Sequence, residues 1–291
     1  MVVDPLVSVL MTAYNRDRYI AEAIESVLNQ GYSNFELIIV DDCSTDTTPD
    51  IARSFQLKDS RIRFYINDRN LGDYHNRNKA ASFAKGVYLK YLDADDVLFP
   101  NGLSQMVKAI ESFPAAAFGL QCPSTLLHFQ LPQILYPKDS LNKHYFNGGV
   151  FLSGPSGSII RKDIFDKIGG FTGKRFIGDS ELWLTMGMEY PVVLFPPNLI
   201  WWREHDEQEY RHEKKSFDPV IQRFFLDLKI ISDPAFPLDK AVVQLLIKKT
   251  NRRFLMNIFK FFFKSGKIKS SFLYLRQSKM TFAEVLKAVF H

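Results

Sequence analysis

Val87-Tyr88-Leu89-Lys90-Tyr91-Leu92 is followed at once by Asp93-Ala94-Asp95-Asp96. The first run reads as a buried strand, and the second crowds three carboxylates at its carboxyl end. Acids so close repel one another and are tolerated near neutral pH when solvent, N–H donors or a cation offset their charge. One use of such a cluster is to hold Mg²⁺ or Mn²⁺ by one or two carboxylates, with substrate phosphates completing the shell. The other is to cap the turn before Pro100 and the next helix.

Working outward, Leu6 to Met11 predicts a first strand, and behind it Ile20, Ala23, Ile24, Val27 and Leu28 repeat at helical spacing, with Gly31 as a stop. Phe35 to Val40 predicts a second strand, and Asp46-Thr47-Thr48-Pro49 offers caps and a proline suited to a first helical turn. A third strand over Arg61 to Ile66 and a helix over Tyr74 to Ala84 lead into the opening run. Beyond it come a helix from Asn101 through Phe113, a strand at Ala116 to Leu120 and an irregular stretch over 121–150. Then follow a strand at Ile159-Ile160, a helix from Asp163 to Ile168 ended by Gly169-Gly170, a helix from Asp179 to Tyr190 and a strand from Val192 to Phe195. Alternating helices and near-continuous apolar strands imply an α/β fold, a mostly parallel central sheet with helices on both faces. Ligands of such sheets bind beyond the carboxyl ends of the strands. Thr12-Ala13-Tyr14-Asn15, Asp41-Asp42, Asn67 to Asp73 and Asp93 to Asp96 all fall there.

With 291 residues, 46% hydrophobic and 24% charged, the composition is that of a soluble globular protein, and no segment approaches the ~18 apolar residues of a membrane span. Met1-Val2-Val3-Asp4-Pro5 lacks a basic, then apolar leader, and Cys43 and Cys122 are too few for a disulfide framework or a cysteine zinc site. A cytoplasmic protein is expected. The net charge of +5 is uneven: residues 240–291 carry twelve Lys or Arg and one Glu, and residues 1–239 carry 25 basic and 31 acidic side chains.

Backbone groups from Thr12 to Tyr14, the Tyr14 ring as a stacking face and Asp42 as an acceptor for a base N–H make a plausible nucleobase pocket; core packing is the other reading of Tyr14. Val7 to Asn15, Ile24 to Gln30, Val40-Asp41-Asp42-Cys43-Ser44-Thr45-Asp46-Thr47-Thr48 and Asp93-Ala94-Asp95-Asp96 together resemble the family 2 inverting glycosyltransferases of GT-A fold, over roughly residues 5–205. The resemblance implies a nucleotide-sugar donor, with uridine preferred, a divalent cation, and transfer to a glycan or lipid-linked acceptor with inversion. It places Arg77 near the nucleotide or diphosphate, a role that competes with a surface salt bridge. It sets Asp93 at the ribose or the metal, Ala94 in the nucleotide-sugar site, and Asp95 as the direct metal ligand with Asp93 as helper, which leaves Asp96 as the structural member.

Inversion also needs a base opposite the leaving group. In the resemblance this is the Asp of a Glu-Asp pair before a helix reading Asp/Glu-Leu-Trp-Leu; here the stretch is Ile177-Gly178-Asp179-Ser180-Glu181-Leu182-Trp183-Leu184. Asp179 matches the base, Glu181 is the fallback, and Gly178 departs from the usual Glu. Asp179 also suits a helix N-cap. His205 falls where the resemblance places a histidine near the metal or the diphosphate, and Trp201 and Trp202 offer a sugar-stacking face, with one of the two expected in the core. The Gln-x-x-Arg-Trp motif of processive synthases is absent, which implies one transfer per encounter. Ser153 to Ser158 reads as a flexible loop on the acceptor side or as a simple turn.

Residues 1–215 are thus expected to form the transferase domain, 1–120 its nucleotide and metal half and 121–215 its acceptor half. Residues 216–291 form a basic, aromatic-rich helical extension. The extension suits an anionic membrane surface on the cytoplasmic side, or a helical subdomain with solvated charges; nucleic acid is disfavoured because no recognised module accompanies the charge. Two other functions compete: a catalytically impaired glycan- or nucleotide-binding scaffold, which Gly178 keeps open, and a sugar nucleotidyltransferase, which the lack of glycine in Thr12-Ala13-Tyr14-Asn15 disfavours.

Overall fold

The computed structural model describes residues 4–127, 130–206, 217–265, 268–278, 280–281 and 285. The chain divides into two compact units, Met1–Glu204 and His205–His291. The boundary expected at 215 lies outside the described residues.

The first unit runs β1 (Val7–Ala13), α1 (Ile20–Leu28), β2 (Phe35–Asp41), α2 (Thr48–Gln56), β3 (Ile62–Ile66), α3 (Asp73–Ser82), β4 (Tyr88–Tyr91), β5 (Val97–Leu98) and α4 (Gly102–Glu111). It continues through β6 (Phe118–Gln121), β7 (Gln133–Leu135), α5 (Pro137–Phe146), β8 (Ser158–Arg161), α6 (Lys162–Ile168), α7 (Gly178–Glu189), β9 (Val192–Phe195) and β10 (Ile200–Trp201). Eight strands form one sheet in the order β3-β2-β1-β4-β8-β6-β9-β7. The β3–β2, β2–β1, β1–β4 and β6–β9 pairs are parallel, and β8 is antiparallel to both neighbours. Strands β5 and β10 pair separately. The sheet is the mostly parallel α/β sheet the sequence implies, with helices around it.

The strands read as continuous apolar runs because both faces are covered. Val7, Val9 and Met11 of β1 join Ile20, Ile24 and Val27 of α1 and Leu103, Met106 and Ile110 of α4 in one core. The alternate residues, Leu10 of β1 and Ile38 and Val40 of β2, are equally buried, and α3, with Ala80 and Ala81 inward, packs against β1 and β2.

Residues 121–150 are not irregular throughout: β7 and α5 lie within 133–146. Helix α5 starts on Pro137 in its first turn and buries only Ser140, Leu141 and His144, so its apolar stripe is too thin to register as a period.

The second unit holds α8 (Asp218–Ile231), α9 (Lys240–Ser265) and α10 (Ile268–Gln277). Phe217, Ile221, Phe224, Phe254 and Ile258 form its core. Asp227, fully buried, is held by Arg223 at 3.1 Å and by Arg253.

Candidate active site

Strand β1 pairs with β2 on one side and β4 on the other, so the sheet's direction of growth reverses between β1 and β4. A crevice opens at such a switch point. The residues after β1 and after β4 meet there: Arg16 Nε donates to Asp95 Oδ2 at 2.8 Å. Carboxylate oxygens of Asp93, Asp95 and Asp96 gather within 4.8 Å of one another. Three carboxylates are the hard-oxygen donor set that Mg²⁺ or Mn²⁺ takes, so the residues fit such a cation. Asp96 is buried and accepts from Arg203 N–H at 3.2 Å; burial first, then the Asp93 charge, pushes its carboxyl upward. Arg203 Nε donates to the Asp95 carbonyl at 3.0 Å, fixing the turn from its other side.

Lys90, read as one more member of an apolar run, is fully buried beneath this cluster. Its ammonium donates to the carbonyls of Tyr91 and Ser156. The Ser156 hydroxyl in turn accepts the Asp93 N–H at 3.0 Å. The Ser153 to Ser158 segment is therefore not a free loop. Its Pro155–Gly157 turn is buried against the acidic turn, and Trp183 Nε1 donates to the Ser153 carbonyl at 2.8 Å.

After β1, Tyr14 is 45% exposed, which removes the core-packing reading and leaves its ring available for stacking. Thr12 and Ala13 close the strand, Ala13 accepting the Asp42 N–H at 2.8 Å. Asn15 takes a positive φ of 52°, donates its N–H to Ser44 Oγ at 2.8 Å and accepts from Thr45 N–H at 2.9 Å. Asp42 is buried. It accepts from Asn67 Nδ2 and Leu71 N–H at 2.8 Å each and from Gly72 N–H at 2.9 Å. Those donors make Asp42 the tether of the loop that enters α3 at Gly72, where φ is 82°.

Helix α3 connects the two halves of the site. Arg77 is buried, with Nε 2.9 Å from Asp73 Oδ1 and Nη2 2.7 Å from Asp93 Oδ1. It is no surface salt bridge. Burial alone would push its pKa down, and the flanking carboxylates hold it above the ordinary arginine value instead. One turn earlier on the same helix, Tyr74 hydrogen-bonds the Asp179 main chain. Burial, then the charges of Asp179 and Asp73, raise its phenol. Gly178 is explained by this tyrosine: a Cβ there would stand 2.6 Å from Tyr74 Cε2. The tyrosine ring fills the space the usual Glu would need.

Asp179 sits in the first turn of α7, its Oδ1 accepting the Ser180 N–H at 2.6 Å. Trp183, fully buried and stacked on Phe118 with centroids 5.9 Å apart, pins the helix below it. Glu181 is buried, its oxygens taken by the Thr172 hydroxyl and by Lys174 Nζ at 2.7 Å. The geometry assigns it to holding the 172–174 segment. Neither tryptophan is core: Trp201 and Trp202 are 45% and 47% exposed, because β10 ends at Trp201. Arg203 lies over the Trp201 ring at 4.6 Å. Ala94 is buried within the acidic turn, and His205 opens the second unit.

Arg16, Tyr74, Lys90, Ser156 and Arg203 all bear on the site and had no assigned role in the sequence. Arg16 alone had a visible cue, its place after Tyr14-Asn15.

The chain is similar to known proteins in a consistent way. The glycosyltransferase GlyG of Streptococcus pneumoniae is 26% identical over 258 residues, 82% of this chain and 84% of its own. Two further curated relatives, from Methanocaldococcus jannaschii and Bacillus subtilis, match over only 38% and 36% of their own length. Among solved structures, Staphylococcus aureus TarS 1-349 in complex with UDP superposes with a TM-score of 0.67 at 20% identity, over 90% of this chain and 76% of that one. The mannosyltransferase PcManGT of Pyrobaculum calidifontis, in complex with GDP-Man and Mn²⁺, gives a TM-score of 0.62 at 17% identity, over 99% and 87%. Both likenesses support the GT-A fold. The glycosyl transferase family 2 model matches residues 8–169, more than half of the chain, and this protein belongs to that family.

Proposed function

We propose that the protein transfers a sugar from a nucleotide-diphosphate sugar to a hydroxyl of a glycan or lipid-linked acceptor, with inversion and one transfer per encounter. The observation that carries the reading is the α3 bridge: one helix holds Arg77 on Asp93 and Tyr74 beside Asp179. A donor-side cluster and a candidate base are thereby set by one rigid element.

Tyr14 offers its ring to the nucleobase, and Asp42, through Leu71 and Gly72, shapes the wall of that pocket. Arg77 faces the diphosphate end, beside Asp93. Asp95 and Asp93 would hold Mg²⁺ or Mn²⁺, which supplies charge neutralisation at the departing diphosphate. Asp179 takes the proton from the acceptor hydroxyl as its oxygen bonds to the anomeric carbon; the bond from that carbon to the diphosphate oxygen breaks, and its electron pair leaves with the nucleoside diphosphate. The TarS and PcManGT complexes make uridine and guanosine diphosphate sugars the first donors to test.

The test incubates the protein with a panel of nucleotide sugars and Mn²⁺, follows nucleoside diphosphate release and determines the anomeric configuration of the product by NMR. Inversion with nucleoside diphosphate as co-product supports the reading. Pyrophosphate would indicate a nucleotidyltransferase, and sugar or nucleotide binding without turnover a scaffold.

A further inference from the structure

Helix α9 is apolar on two faces. Leu246, Phe254, Leu255 and Ile258 are buried, and Phe254 stacks on Phe224 of α8 with centroids 4.1 Å apart. On the opposite side Leu245, Met256, Phe259 and Phe263 are exposed by 54%, 50%, 42% and 80%. At about 100° per residue these four, together with Lys249 and Arg252, share a stripe roughly 80° wide and about 27 Å long. The exposed Lys249 and Arg252 fall within the same stripe, and the exposed Lys248 and Lys260 border it. Residues 240–283 contain no Asp or Glu. The next helix, α10, adds Phe272 and Leu273, 67% and 53% exposed.

A helix face turned to water carries charges of both signs and few large apolar groups. This one carries phenylalanines among cations alone. Cations ranked beside apolar side chains, with a second apolar face anchoring the helix to its own unit, match a helix lying in the plane of an anionic lipid surface. A second copy fits poorly, since two acid-free cationic faces would be brought together. No described helix is long and apolar enough to cross a membrane.

We propose that α9 docks the protein on a bilayer rich in anionic lipid, with Met256, Phe259 and Phe263 entering the headgroup region and Lys248 and Lys260 facing lipid phosphates. The packing sharpens the choice left by the sequence: the buried face makes the helical subdomain, and the other face makes the lipid surface. This holds independently of the transferase reading.

The test is flotation of the full chain with vesicles of phosphatidylcholine alone and of an equimolar mixture with phosphatidylglycerol. The protein floats with the mixed vesicles, molar salt releases it, and Met256→Ser/Phe259→Ser/Phe263→Ser lowers recovery about tenfold at an unchanged melting temperature. Lys248→Gln/Lys260→Gln lowers it by a smaller factor and keeps the test valid should the triple variant lose its melting transition. Equal recovery with both vesicle types, or full recovery of both variants, overturns the proposal. So does a dimer on gel filtration that the triple variant abolishes, which would assign the face to a second copy.

Discussion

Arg16 Nε stands 2.8 Å from Asp95 Oδ2, so the carboxylate proposed to take the cation is paired with a guanidinium from the neighbouring strand end. The two side chains are 22% and 12% exposed, so the pair is worth no less than an exposed ion pair's contribution of about 0.2–1 kcal/mol. A cation binding at Asp95 competes with that pair. Arg16→Gln should therefore tighten Mn²⁺ binding by about twofold to fivefold, as read by isothermal titration calorimetry. Weaker binding in the variant would show that Arg16 builds the site and does not compete for it.

Gly178 and Tyr74 make the second prediction. With the half-buried ring 2.6 Å from where a Cβ would sit, Gly178→Ala forces a shift in α3 or α7. Overpacking of this kind costs about 1–3 kcal/mol, a fall of several degrees in Tm by scanning calorimetry. Tyr74→Ala/Gly178→Glu, which swaps the ring for the family's usual acid, should regain much of the loss; no recovery would mean the two positions do not share that space.

Lys90 gives a pH dependence. Burial pushes its ammonium down to about 7 from 10.5, so between those values the unfolded chain binds the extra proton and unfolding free energy rises with pH. Lys90→Met removes the titration. In urea denaturation at pH 7, 8 and 9, wild type should gain stability on the variant at each step. A constant difference across that range contradicts the assignment.

The strands up to β4 were legible as continuous apolar runs, and α1 by its period: Ile20, Ala23, Ile24 and Val27 repeat at helical spacing and all are buried. The acid clusters at strand ends were legible from position alone. Helix α5 was not, since a polar helix with three buried residues leaves no stripe. Nor were the partners of the acids: Arg203 reaches Asp95 across 108 residues and Lys90 reaches Ser156 across 66, separations at which spacing carries no information. Gly178 read as a defect in the catalytic motif; the ring that occupies its space comes from a helix a hundred residues earlier in the chain.

Asp179 is proposed as the base of an inverting transfer whose donor is held by residues of the other strand ends. Asp179→Asn keeps the shape of the α7 start, so nucleoside diphosphate affinity, measured by calorimetry with Mn²⁺ present, should stay within about twofold of wild type. Turnover, followed as nucleoside diphosphate release with acceptor, should fall by about 10²-fold to 10⁴-fold. Turnover retained in the variant would contradict the account.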